Sequence, residues 1–255
     1  MQAIIIGAGR GIRLMPTTAD APKCFAQIGN QRILDWGLEA FRQAGIDRIV
    51  FIGGYQIDKV RSDYPHFTFR NNHDWQNNNI LASLFFAEDC MDEPFICCYS
   101  DTLFRPSVVK ELAKNSSDMA VTIDTDWLSR YTHRLQHPSD DAEKVTVTNG
   151  VVTRIDRQIP EAEAYGEYTG VAYFSEQGAR CLRDHYHRCR ECAADGPFRG
   201  AATFKKAYFI HLLQEMVEAG EQLAHVDTPG GYIEIDTQED FDYAQQHWES
   251  SCKES

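Results

Sequence analysis

Two cations set among glycines open the chain. Gly7, Ala8, Gly9, Arg10 and Gly11 follow directly on an apolar run; then come Ile12, Arg13, Leu14, Met15 and Pro16, and the segment closes on Pro22 and Lys23. Glycines let a backbone approach a phosphate closely and aim N–H groups at it. Ala8, Gly9, Arg10 and Gly11 are therefore expected to cradle the phosphates of a nucleotide. The planar fork of Arg13 can take phosphate oxygens two at a time, which suits a departing pyrophosphate. Lys23 brings a point charge suited to a reacting α-phosphate or an acceptor phosphate. Both are assigned catalytic roles, because displacement at phosphorus is driven chiefly by positioning and charge stabilisation. The competing reading is a solvated loop with incidental basic residues. Two common phosphate loops do not fit. A dinucleotide fingerprint needs a third glycine opening a helix and an acid after the second strand, whereas Arg13 and Pro16 intervene and the second strand runs into Gly53 and Gly54. A P-loop needs Gly-Lys-Ser/Thr, which the segment does not contain.

Carboxylates at strand ends supply the second half of the chemistry. Asp101 follows the apolar stretch 95–99, and Asp236 follows Glu234 and Ile235. A carboxylate at the end of a parallel strand points into the crevice where ligands bind. Magnesium prefers one or two carboxylates together with phosphate oxygens and water. Asp101 and Asp236 are accordingly assigned as ligands of Mg²⁺, with helix or turn capping as the alternative for each.

The elements that must hold these groups follow from periodicity. Residues 3–6, 48–52, 95–99 and 119–123 read as buried strands, with helices at 33–43, 80–88 and 108–113 between them. Strands alternating with helices argue a three-layer αβα, Rossmann-like fold with a mixed, mostly parallel sheet. The second half differs. Residues 144–148 and 151–155 flank Asn149-Gly150, a pair that favours the tight turn of a hairpin. A strand at 168–174, helices at 177–192 and 204–219, a strand at 232–235 and a last helix capped by Thr237 follow. The expected organisation is one domain over 1–255: a nucleotide-binding half at 1–125, an acceptor-binding lobe with the inserted hairpin at 126–230, and the strand and helix that complete the metal site at 231–255.

Composition bounds the rest. The 255 residues carry a net charge of −13. Nucleic-acid binders usually show the opposite balance, so no nucleic acid is expected as partner. No apolar run approaches the ~20 residues needed to span a bilayer, and the early run 3–6 lacks the basic flank of a signal peptide, so a cytoplasmic protein without membrane attachment is expected. A homodimer is admitted but not fixed by the sequence. The eight cysteines read as free thiols. One group, His185, His187, Cys189 and Cys192, has the look of a metal motif, but it lies on a helical stretch and lacks a partner pair, so an amphipathic helix is preferred to zinc.

The run from Gly7 to Lys23 resembles the signature of the sugar-phosphate nucleotidyltransferases, G-x-G-x-R-L-x-P-x-T-x-x-x-P-K, with a variation at Arg10-Gly11-Ile12. The resemblance implies two metal-binding aspartates in the contexts of Asp101 and Asp236. The Asn-rich turn 77–79 followed by Ser83 is similar to the small cytidylyltransferases, including those acting on phosphocholine and on phosphonates. That likeness implies CTP as nucleotide, with Asn78, Asn79 and Ser83 near the cytosine; helix capping is an equal alternative for either asparagine.

Acceptor contacts are expected in the second half: Asp124, Trp127, Arg130, Arg134, Lys144, Glu167 and Tyr168, with Tyr131 and His133 nearby. Aromatic groups would suit a quaternary ammonium, a carboxylate would suit an aminoalkyl group, and basic groups would suit a phosphonate. Packing of Trp127 and solvation of the acidic turn 140–143 remain alternatives. The resulting expectation is an enzyme that uses Mg²⁺ and CTP on a small phosphonate or phosphoalcohol acceptor. A phosphocholine or sugar 1-phosphate acceptor, or a catalytically silent nucleotide-binding module, are the alternatives.

Overall fold

The computed structural model describes residues 1–132, 134–136, 138–194 and 196–248. Along the chain run β1 (Gln2–Gly7), the short strands β2 (Gln27–Ile28) and β3 (Gln31–Arg32), α1 (Ile33–Gln43), β4 (Ile49–Gly53), α2 (Ile57–Asp63), β5 (Thr68–Asn71) and α3 (Ile80–Leu84). Then come β6 (Phe95–Tyr99), β7 (Thr102–Phe104), α4 (Pro106–Ala113), β8 (Met119–Asp124), α5 (Trp127–Tyr131), and the hairpin β9 (Lys144–Thr148) and β10 (Val151–Ile155). The chain continues with β11 (Gly166–Phe174), α6 (Glu176–Ala193), α7 (Phe209–Glu218), β12 (Ala224–Asp227), β13 (Tyr232–Glu234) and α8 (Gln238–His247).

One nine-stranded sheet has the order β5-β4-β1-β6-β11-β8-β12-β10-β9. Its first half is parallel, with β1 between β4 and β6. Antiparallel pairing enters with β11, which lies between β6 and β8, and with the hairpin, so the sheet is mixed. The strand period of two divides the apolar residues between two faces. Ile4 and Ile6 of β1 pack with Leu81 and Leu84 of α3, Leu182 of α6 and Leu213 of α7. Ala3 and Ile5 face the other way, onto Leu34 and Phe41 of α1 and Val109 and Leu112 of α4. Helices thus cover both faces, which is why β1, β4 and β6 read as unbroken apolar runs rather than as alternation.

A third cluster matters most for the site. Leu14, from the 3₁₀ turn Ile12–Leu14, packs with Ile33, Leu103, Ile233, Ile235, Ala244 and Trp248. It welds the glycine-rich loop to the far end of the chain. Losing the buried Leu14 side chain would cost ~2–5 kcal/mol, and it would loosen the loop from the strand that carries Glu234. Among the described residues no helix is long and apolar enough to cross a membrane.

Candidate active site

The loop after β1 is shaped by two glycines for different reasons. A Cβ at Gly7 would come within 2.7 Å of Phe51 and of the Ser100 hydroxyl, so the loop leaves β1 pressed against its neighbours. Gly11 has φ of +67°, and a Cβ there would meet the Lys23 side chain at 2.9 Å. Gly11 therefore both turns the chain left-handed and lets Lys23 pass underneath. In front of Gly9 nothing lies within 4 Å of where a Cβ would sit. That open space belongs to a cleft of about 610 Å³ lined by Ala8, Gly9, Arg10, Gly11, Arg13 and Lys23 on one side.

Lys23 is buried, and its ammonium is held by two carboxylates. Nζ donates to Asp101 Oδ2 at 2.6 Å and also to Asp236 Oδ1. Arg13 Nη2 donates to the other oxygen of Asp236 at 2.6 Å. Burial alone would lower the lysine's pKa; Asp101 and Asp236 more than offset it and raise it, so the ammonium stays charged. Local pairing explains how residues 213 apart meet. β13 runs antiparallel to β7, with Glu234 opposite Thr102, and the Ile235 amide donates to the Asp101 carbonyl at 3.0 Å. Asp236 is steadied from behind, since Asp240 Oδ2 accepts from its amide at 3.0 Å while Thr237 caps α8.

Glu234 is the third acid of this centre. Burial first, and then the charges of Asp236 and Asp101, push its carboxyl well above the ordinary range, against the opposing pull of Lys23. The centre thus holds more acid than its lysine neutralises. Its donor set, all carboxylate oxygen and presented at the phosphate loop, fits a hard divalent cation. Asp101 and Asp236 would hold it.

Another stretch of the cleft wall is a side-chain amide network. Asn72, fully buried, donates to Asn78 Oδ1 at 2.9 Å and to Ser83 Oγ at 2.8 Å, and accepts from Asn78 Nδ2 at 2.9 Å. Asn78, Asn79 and Ser83 all line the cleft, but the side-chain oxygen of Asn79 caps α3 by accepting from the Ile80 amide. The wall beside them is Trp75, which packs edge-on against Tyr55; Tyr55 in turn donates its amide to the Ala8 carbonyl at 3.0 Å, and Arg10 lies 5.4 Å over its ring.

The expected acceptor contacts divide. Glu167 and Tyr168 line the cleft. Asp124, Trp127, Arg130, Arg134 and Lys144 are not among its lining residues, and their side chains are used inside the protein. Arg130 is sandwiched between Asp124 and Glu167, with Glu167 Oε2 at 2.8 Å, and Tyr131 donates to Glu167 Oε1 at 2.5 Å. Arg134 pairs with Asp240 at 2.8 Å and donates to the Glu234 carbonyl at 3.1 Å. Lys144 turns back onto the carbonyls of Ser139 and Ala142, and Trp127 packs on Tyr131 and Ala142. Arg130 and Arg134 thus neutralise buried acids, and Lys144 satisfies carbonyls. His133 and His137 lie outside the described residues.

Reading the sequence missed Asn72, Trp75, Gln76, Tyr99, Glu143, Arg157, Tyr208, Tyr232 and Glu234 as lining or supporting residues of the cleft. Glu234 had a signal, being two places before Asp236 on the same strand. Arg157 and Tyr208 had none, because only the packing of the hairpin against the start of α7 brings them together. Of the suspected metal motif, His187 is bound to Glu88 at 2.5 Å, Cys189 is buried and Cys192 is exposed, while His185 groups instead with Cys181 and Glu221, three side chains whose ligand atoms lie within 4.8 Å of one another.

A glycine loop over a lysine held by two carboxylates, at the carboxyl edge of a mixed αβα sheet, suits chemistry at a phosphate, and the comparisons give the class: the chain is a nucleotidyltransferase. The chain belongs to the MobA-like NTP transferase domain family, whose profile matches residues 3–196. Members of this family typically use a divalent metal. A CTP:phosphoglutamine cytidylyltransferase from Campylobacter jejuni is 30% identical over 258 residues, covering 95% of this chain and 98% of that protein. A UTP–glucose-1-phosphate uridylyltransferase from Haloferax volcanii is 25% identical, covering 96% of each. Among solved structures, the CTP:phosphocholine cytidylyltransferase of Streptococcus pneumoniae superposes with a TM-score of 0.71 at 17% identity, over 96% of this chain and 97% of that one.

Proposed function

We propose that the chain transfers CMP from CTP to a small acceptor bearing a phosphonate or phosphate group and releases pyrophosphate, with Mg²⁺ as the metal. The observation that carries this is the single ammonium of Lys23 shared by Asp101 and Asp236 beneath the Gly7–Gly11 loop. An ionised acceptor oxygen forms the new bond to the α-phosphorus while the bond to the β-phosphate oxygen breaks. Because that oxygen is ionised at neutral pH, no general base is needed, and none of the histidines is given a role. Lys23 neutralises charge on the transferring group, and Arg13 holds the departing pyrophosphate. Mg²⁺ held by Asp101 and Asp236 would supply further neutralisation of the phosphate oxygens. Cytosine is assigned to the pocket of Ala8, Trp75, Asn78 and Ser83. The similarity to the full-length C. jejuni cytidylyltransferase supports CTP, and shorter alignments to a 2-aminoethylphosphonate cytidylyltransferase support a small acceptor.

The likeness to the H. volcanii uridylyltransferase favours one second reading, UTP with a hexose 1-phosphate. Pyrophosphate release separates the two. The purified protein, with Mg²⁺, is given each of CTP, UTP, ATP and GTP against 2-aminoethylphosphonate, 2-hydroxyethylphosphonate, phosphocholine, phosphoglutamine and glucose 1-phosphate. CTP with one of the first four acceptors is expected to be the best pair. UTP with glucose 1-phosphate as the best pair would overturn the proposal.

A further inference from the structure

The wall of the cleft facing the glycine-rich loop is furnished in a way the transfer chemistry does not use. Arg157, from the turn after the hairpin strand β10, lies 4.0 Å over the Tyr208 ring and donates through Nη2 to Glu143 Oε1 at 3.2 Å, a long contact for an ion pair. Among the described residues its buried Nε has no hydrogen-bond partner, and the same holds for the hydroxyls of Tyr99 and Tyr168. All five side chains line the cleft. Tyr168 ties this wall together: its amide donates to the Glu143 carbonyl at 2.8 Å, and its ring meets the Tyr99 ring edge-on at 6.4 Å. Gly170 makes the space, since a Cβ there would run into the Tyr99 ring at 2.6 Å.

Orphaned buried donors are costly and uncommon, so several gathered on one cleft wall imply a ligand that brings acceptors. A carboxylate supplies them to Arg157 Nε and the tyrosine hydroxyls. It would also draw Arg157 away from Glu143 and leave that acid unpaired, a severe penalty away from water. An ammonium on the same ligand restores the balance. A neutral acid–base pair that opens to admit a zwitterion ends as two pairs, whereas a tail carrying one charge leaves a charge over. Glu167 does not compete for the ammonium, since both of its oxygens are taken by Arg130 and Tyr131.

We propose that Glu143 and Arg157 form an amino-acid clamp: the acceptor's tail carries an ammonium, held by Glu143, and a carboxylate, held by Arg157. This rests on the cleft's being the acceptor site of a CTP-dependent transferase. The probes are ω-phosphono-α-amino acids of three to five carbons, each compared with the phosphonate lacking only the carboxylate and with the one lacking only the amine. Pyrophosphate release with CTP is measured as kcat/KM. At the best chain length the amino acid is expected to exceed both truncated acceptors by about 100-fold or more, because a site built for polar groups rejects a ligand that leaves them unpaired. Arg157→Gln should collapse the ratio to the decarboxylated acceptor, and Arg157→Lys should keep part of it; a merely structural arginine would lower both acceptors together. Equal kcat/KM for the amine-only phosphonate and the amino acid in the wild type would overturn the clamp and leave CTP-dependent transfer standing. Turnover with UTP and glucose 1-phosphate alone would overturn the clamp together with the reading it rests on.

Discussion

Replacing Arg130 by Met tests whether the buried cations beside the cleft hold substrate or hold the protein. The Arg130 side chain is 5% exposed, and its partners Asp124 and Glu167 are 0% and 4% exposed. It also donates to the Tyr232 carbonyl at 3.2 Å, at the start of the strand that carries Glu234. Methionine fills much of the same volume but leaves two buried carboxylates without their counterion. Removing one partner of such a pair typically costs ~3–5 kcal/mol. For a chain of this size each kcal/mol is worth roughly 2–4 °C in melting temperature, so a fall of about 6–20 °C is expected, observable by circular dichroism. Asp124 has two backbone donors besides Arg130, from Asp126 and Gly230, both at 2.9 Å. Among the described residues Glu167 is held by Arg130 and Tyr131, so adding Glu167→Gln to Arg130→Met should recover part of the loss. A melting temperature within about 1 °C of the wild type, together with a tenfold rise in acceptor KM, would refute this reasoning and return Arg130 to the binding site.

Lys23→Ala should cut pyrophosphate release by a factor of about 10²–10³, the loss of ~3–4 kcal/mol of preorganised charge; near-normal turnover in a folded variant would contradict its role. Burial raises the Glu143 carboxyl to about 6, above its unfolded value. The stability linked to its proton is therefore present at pH 4.5 and is lost as pH rises through 6. Urea unfolding of wild type and Glu143→Gln should accordingly show a stability difference that shifts by about 2 kcal/mol between pH 4.5 and 7.5, and a pH-independent difference would count against it. Chelators should leave the melting temperature unchanged, since His187 is taken by Glu88 and the group of Cys181, His185 and Glu221 offers three ligands rather than the four of a structural zinc site; stoichiometric zinc whose removal destabilises the protein would show otherwise.

What could be read from the sequence was local. The run 3–6 became β1, and the hairpin at Asn149-Gly150 formed with both residues at positive φ, at 52° and 80°. Thr237 caps α8 against Asp240. Each of these is decided by a few neighbouring residues. The placement of β11 between β6 and β8 was not legible, because no periodicity tells a buried strand which neighbours it will take. Helix 80–88 was expected whole, but it is an α-helix to Leu84 and a 3₁₀ segment, Phe85–Cys90, beyond. The strands at Thr68–Asn71 and Ala224–Asp227 went unanticipated, as short and partly polar segments do. The site showed the same split. Arg13, Lys23, Asp101 and Asp236 stand together, because motif and strand end announce where they go. Arg130, Arg134 and Lys144 were expected as ligand contacts but turn inward, onto acids and carbonyls, since an unpaired cation and one with a distant partner look alike in one dimension.

The meeting of Lys23 with Asp236 spans 213 positions, and this gives the molecule a schedule. The glycine loop, the lysine and Asp101 leave the ribosome before Asp236 does and can pack with the first parallel strands. Glu234 of β13 and Asp236 just before α8 arrive later, after the matched family region 3–196 is already out. Until they do, Lys23 has one acid instead of two, and Leu14 lacks Ile233, Ile235 and Trp248 to pack on. A nascent or C-terminally nicked chain can therefore hold most of the sheet and still be chemically silent. Contacts this distant are the slowest to form, so activity should appear last in refolding, after the bulk of the secondary structure, and fragments from interrupted synthesis should not consume nucleotide.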